Sequence, residues 1–116
     1  MKIIRFQEEE YKVFNDSKAK GAKGRVLIGQ GDGASHFVMR FFELAPEGYT
    51  PLHRHDWEHE IFIHRGQGAA WRNGEWVPVE AGMAVFVPGG EEHQIRNTGS
   101  ESLLFVCLIP SGPPEL

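Results

Sequence analysis

Fourteen glycines and seven prolines, spread throughout this 116-residue chain, cut it into short segments. Each glycine inside a helix costs about 1 kcal/mol and each proline about 3, so the chain is built from something shorter. Between the breakers lie Arg25–Ile28, Phe37–Leu44, Glu60–Ile63, Ala69–Arg72, Trp76–Val79, Ala84–Val87 and Leu103–Ile109. These segments are strand-length and rich in valine, isoleucine, phenylalanine and tryptophan. Many short strands separated by turn signals predict an all-β sandwich or barrel. The only helical periodicity is about one turn around Glu8–Val13.

One hairpin can be read in register. Asn73-Gly74 is the strongest two-residue turn signal and pairs Arg72 with Glu75 and Trp71 with Trp76. Pro46-Glu47-Gly48 and Pro88-Gly89-Gly90 predict two further turns. Ser111–Leu116 reads as a loose, proline-rich tail.

Composition limits the functional classes. With 41% hydrophobic and 24% charged residues the chain can bury a core, and a net charge of -4 without a basic stripe argues against nucleic acid. The longest apolar run, Leu103–Ile109, is too short to span a bilayer. The charged start, MKIIRFQEEEYK, does not read as a signal peptide, and a single cysteine, Cys107, forms no internal disulfide. A soluble cytoplasmic domain is expected, with no membrane or nucleic-acid partner.

The chemistry lies in the histidines. His53 and His55 are two apart, so on an extended strand both point to one face. His59 opens the next apolar segment, in which Ile61 and Ile63 alternate with Glu60, Phe62 and His64. If the isoleucines point inward, so does His59, and Glu60 points away. A bulge near residue 58 would reverse that phase and keeps Glu60 as an alternative ligand. His93 follows the Pro-Gly-Gly turn. His36 and His64 have no such pattern and read as surface or supporting residues.

At these residues the chain resembles the cupin superfamily. Gly48–Gly66, with His53, His55 and His59, looks like the first cupin motif, and Gly82–Asn97 fits the second, G-x5-P-x-G-x2-H-x3-N, at every fixed position. The first motif departs twice: Gly48 and His53 are one residue closer than usual, and His59 stands where the family usually has glutamate. That substitution is similar to a subgroup of small single-domain bacterial cupins that bind manganese through four histidines. The likeness extends to Arg25–Gly29, Phe37–Phe41, Trp57–Phe62 and Cys107–Pro110.

The resemblance implies a double-stranded β-helix, or jelly-roll barrel, as a single domain over 1–116. Its barrel core would span about 36–110, with residues 1–35 adding N-terminal strands at a dimer interface. It implies one divalent metal per chain on His53, His55, His59 and His93, with manganese first, iron next, and zinc, nickel or copper as other occupants. It further implies that Cys107 points toward the metal from the last strand, with Phe105 on the same face. From the residues alone, Leu103–Ile109 is apolar on both faces, and a small buried thiol explains Cys107 equally well. Arg40 interrupts the apolar run Phe37–Phe42, either as a buried anion-recognising residue or as an outward charge, the commoner state for arginine. Trp57, between the ligands, either lines a pocket mouth or plugs the barrel end.

Four neutral imidazoles leave a divalent ion its full charge. Such a site supports Lewis-acid polarisation of a carbonyl, or oxygen and peroxide chemistry if the ion is redox-active. The functions in view are a manganese- or iron-dependent oxidoreductase resembling a dioxygenase, a non-catalytic cupin that binds metal or a small ligand, and a metal-dependent isomerase of sugars or keto acids. The isomerase needs a positioned base, and Glu43, Glu58 and Glu60 are not tied to the site by spacing. Sheet edges near the N-terminus predict a homodimer, and the family resemblance implies Arg25–Gly29 as the segment exchanged across its two-fold.

Overall fold

The structure, a computed structural model, describes residues 1–116, and almost all regular structure in it is β. Nine strands follow in order: β1 (Lys12–Phe14), β2 (Lys20–Ile28), β3 (Phe37–Tyr49), β4 (His59–Arg65), β5 (Gln67–Arg72), β6 (Glu75–Glu80), β7 (Ala84–Val87), β8 (Ile95–Asn97) and β9 (Leu103–Pro110). They hydrogen-bond as one curled sheet in the order β6-β5-β8-β3-β9-β4-β7, with β2 added to the other side of β3 and β1 to β2. Every assigned pairing is antiparallel. This is a jelly-roll barrel, and no helix in it is long and apolar enough to cross a membrane.

All seven predicted strands are present, and the hairpin pairs Arg72 with Glu75 and Trp71 with Trp76. Its turn puts Asn73 at φ 50° and Gly74 at φ 83°, as an Asn-Gly type I′ turn requires. Three expectations need correction. The helical turn around Glu8–Val13 is instead a short 3-10 turn at Phe6–Glu8 followed by strand β1. Pro46-Glu47-Gly48 does not join two strands. The β2–β3 register jumps from Ala22↔Leu44 to Lys20↔Tyr49, so these residues form a bulge inside β3 opposite Gly21, with Glu47 at φ 67°. The tail is anchored: Glu115 Oε2 accepts the Gln30 amide at 2.9 Å, and Leu116 lies against the inner cavity.

The barrel is filled by alternating inward side chains. Leu44, Ile63 and Leu103 are fully buried, and Val38, Phe105 and Ile109 nearly so. Each contributes roughly 1.5–3 kcal/mol by leaving water. Phe41 is buried on the opposite face of β3 because Phe6 stacks on it, with centroids 4.1 Å apart. Arg25 reinforces that N-terminal cover through its ion pair with Glu43 and its position over the Phe6 and Tyr11 rings. Arg25–Ile28 pairs within the chain with β3.

Candidate metal centre

The histidines are brought together by backbone contacts between the two motif regions. His53 and His93 form an isolated antiparallel bridge and exchange both amide hydrogen bonds, at 3.2 and 2.9 Å. The Pro88-Gly89-Gly90 turn closes against the His53–His59 loop: the Gly90 amide donates to the His55 carbonyl at 2.7 Å. Gly89 permits the approach, since a Cβ there would lie 2.2 Å from the Asp56 carbonyl oxygen.

Three histidines, His53, His55 and His93, are positioned to bind a metal, with ligand atoms all within 4.8 Å of one another. The donor chemistry fits an ion. His55 Nδ1 is 3.0 Å from the Trp57 carbonyl and His93 Nδ1 is 2.8 Å from the Glu91 carbonyl. A carbonyl only accepts, so each ring carries its proton on Nδ1 and keeps an Nε2 lone pair for a metal. The Trp57 ring stacks on His55 at 4.2 Å and an interplanar angle of 5°, which fixes the imidazole plane.

His59 adjoins this set in a different tautomer. Its parity reading holds: β4 buries His59, Ile61 and Ile63 and exposes Glu60. Arg40 Nη2, which can only donate, is 3.1 Å from His59 Nδ1. The proton of neutral His59 is therefore on Nε2, 2.8 Å from the His55 Nε2 lone pair. Arg40 donates to His59, which donates to His55, which donates to the Trp57 carbonyl.

Burial favours the neutral form of His59, His93 and His53. His59 is 7% exposed, and burial, then the Arg40 charge, lowers its pKa to about 3. Burial also lowers His93. His53, at the exposed mouth, is pushed to about 4 by partial burial and then by His93 and His55.

Arg40 faces inward, 8% exposed, overturning the commoner outward reading. It follows the same alternation as Val38 and Leu44 and pairs across the sheet with Cys107. Cys107 is also buried, its Sγ 2.9 Å from Arg40 Nη2 and 3.1 Å from His59 Nδ1. Burial raises its pKa, and Arg40 opposes that rise. Phe105 faces the same way two residues earlier. These residues line a cavity of about 270 Å³ with His53, His59 and His93.

Sequence reasoning did not find one part of the wall of this cavity: Phe14, Ala19, Ala22 and Leu116 line it, from β1, the start of β2 and the tail. Nor did it find Trp57 as the support of His55, although its place in the ligand loop was visible. The carbonyls that orient His55 and His93 have no residue signature. Asn97, the last motif residue, is structural: its Nδ2 donates to the Leu44 and Glu101 carbonyls and its Oδ1 accepts the Gly99 amide.

The chain matches known proteins over the same region. A family profile described as the cupin domain matches residues 40–109. The oxalate-binding protein of Thermotoga maritima is 37% identical over 99 residues, 80% of this chain and 82% of that one. The 1-methylthio-D-xylulose 5-phosphate methylsulfurylase of Rhodospirillum rubrum is 34% identical over 73% of this chain, which spans 54% of that protein. Among solved structures, the polyketide cyclase RemF from Streptomyces resistomycificus superposes with a TM-score of 0.90 at 33% identity, covering 98% of this chain and 82% of that one. By its barrel, its two motifs and these matches, the chain belongs to the cupin family.

Proposed function

We propose that this cupin, one domain over 1–116, is a metal-dependent oxidoreductase, dioxygenase-like in its chemistry, that acts in the cytoplasm on a small organic molecule using oxygen or peroxide. The observation that carries this reading is the convergence of ring nitrogens of His53, His55 and His93 beside a mostly apolar cavity. His53, His55 and His93 would hold one divalent ion, manganese first and iron next. His59 would join them as the fourth ligand through Nε2 with its proton held on Nδ1, where Cys107 Sγ at 3.1 Å can accept the hydrogen bond once Arg40 Nη2 turns away from that nitrogen. When bound, the ion supplies Lewis acidity and, if manganese or iron, redox chemistry at open positions. Phe105 and Phe42 shape the apolar wall, Cys107 and Arg40 its polar end. A homodimer joined through residues 1–35 belongs to the proposal, and light scattering that gives a monomer removes it.

A second reading is a site that binds or polarises its ligand without redox turnover. No aspartate or glutamate lines the cavity to serve as general base, which favours ligand holding over isomerisation. The names of the relatives, an oxalate-binding protein and a polyketide cyclase, support this reading too.

Elemental analysis of the purified protein beside His53→Ala and His59→Ala tests the proposal first. About one manganese or iron per chain, lost in His53→Ala and weakened in His59→Ala, supports it. Oxygen or peroxide consumption by the loaded protein then separates the two readings. Absence of bound metal under every supply overturns the first reading and leaves ligand holding without an ion.

A further inference from the structure

The Arg40 guanidinium is buried beside the cavity with no acidic partner. Nη2 is satisfied by His59 Nδ1 and Cys107 Sγ, but Nε is fully buried without a hydrogen bond and Nη1 makes none. Phe42 covers it at 5.0 Å from ring centroid to guanidinium carbon. Neither a salt bridge nor any lining carboxylate compensates its charge. A buried cation is costly unless something answers it, and a divalent ion on neutral imidazoles would add to the imbalance. The cavity therefore favours a negative ligand.

We propose that Arg40 recognises the carboxylate of a small anionic substrate whose remaining body is apolar and flat. This deepens the reading of the cavity as a substrate site and rests on it. The rest of the wall sets the body. Phe14, Phe42, Phe105, Ile61 and Ile95 offer carbon surface, and a phosphate would find too few donors there to be satisfied. At about 270 Å³ the cavity holds the equivalent of about nine waters, room for one aromatic ring with a short acidic arm. Arg40 is thus a specificity residue, separate from the groups that hold the ion.

Calorimetric titration of the full chain with benzoate, and with its neutral isostere benzamide, tests this in metal-loaded and chelator-stripped protein. The expected result is that benzoate binds at least about tenfold more tightly than benzamide in both forms. That ratio falls to about one in Arg40→Met and is partly kept in Arg40→Lys, with folding of each variant checked by circular dichroism. Equal affinities in wild type overturn the inference, since Arg40 would then not read the charge of the ligand. Saturable binding of neither probe also overturns it. So does a benzoate preference that survives in Arg40→Met and disappears on chelation, because the ion alone would then read the charge. Anion preference in stripped protein that accepts no metal would sustain Arg40 while the metal-dependent function fell.

Discussion

His53 and His93 face each other across a two-residue antiparallel bridge, their rings 4.7 Å apart and their amides bonded to each other's carbonyls. Two ligands far apart in sequence are thus placed by main chain, before any ion contributes. A site preorganised in this way depends on close packing of the two motif regions, and Gly89 permits one such approach, against Asp56 in the loop between His55 and His59.

Gly89→Ala is expected to open the site without dismantling the barrel. Its Cβ would meet the Asp56 carbonyl at 2.2 Å, so the loop between His55 and His59 must shift. A stability loss of about 1–3 kcal/mol is expected from the overpacking. Metal affinity should fall further than in a Gly31→Ala control, where an added Cβ meets nothing within 4 Å. Denaturant melts and metal competition titrations read the two effects separately. Unchanged affinity would mean that the loop position does not set the ligands.

Trp57 supplies the next dependence. Its ring lies parallel to His55 and its carbonyl takes the His55 Nδ1 proton. Trp57→Leu keeps the carbonyl and removes the stacking, so the imidazole gains freedom to turn. Loss of an orienting group of this kind weakens metal binding by about 10–100-fold. Trp57→Phe should recover most of it. Equal affinity for wild type and Trp57→Leu would reduce the tryptophan to a packing residue.

The hydrogen-bond chain from Arg40 predicts tautomers that can be observed directly. In metal-free protein at neutral pH, two-bond proton–nitrogen correlation spectra should place the His55 and His93 protons on Nδ1 and the His59 proton on Nε2. Arg40→Met removes the donor that enforces the His59 state and should populate its Nδ1–H form. A wild-type His59 already protonated on Nδ1 would refute the assignment.

Arg25–Ile28 and most of the strands between residues 37 and 110 are readable because their pattern is local. The His59 parity survived because Ile61 and Ile63 are buried and Glu60 is not, so two-residue alternation ran through β4 without a bulge. Arg40 defeated the same reasoning. β3 buries Phe41 on its outer face under Phe6, so burial there is set by a segment more than thirty residues away. An arginine in a strand that is apolar on both sides has no phase to read. Strands β1 and β8 were missed because three residues are too few to establish alternation. The wall contributed by Phe14 and Leu116 is not legible because both reach the cavity only through tertiary contacts.

The titration of the histidines gives the last prediction. Unfolded histidine titrates near 6.5, whereas burial lowers His59 to about 3 in the folded chain and also lowers His93. Below pH 6.5 the unfolded chain therefore binds protons that the folded chain refuses. The sign follows: these residues leave stability at its full value above pH 6.5 and drain it as pH falls toward the folded pKa of about 3. His53 contributes less than its pKa of about 4 implies, because its ring is exposed at the mouth. Melting temperature of chelator-stripped protein should fall steadily from pH 6.5 to pH 4. A His59→Gln variant, which has no proton to exclude, should flatten part of that slope. Bound metal should raise the melting temperature most above pH 6.5 and lose its effect over the same interval, since protons and metal compete for the same lone pairs. A stripped protein with equal melting temperatures at pH 7 and pH 4.5 would show that the histidines protonate without cost, and that the cluster is open to water.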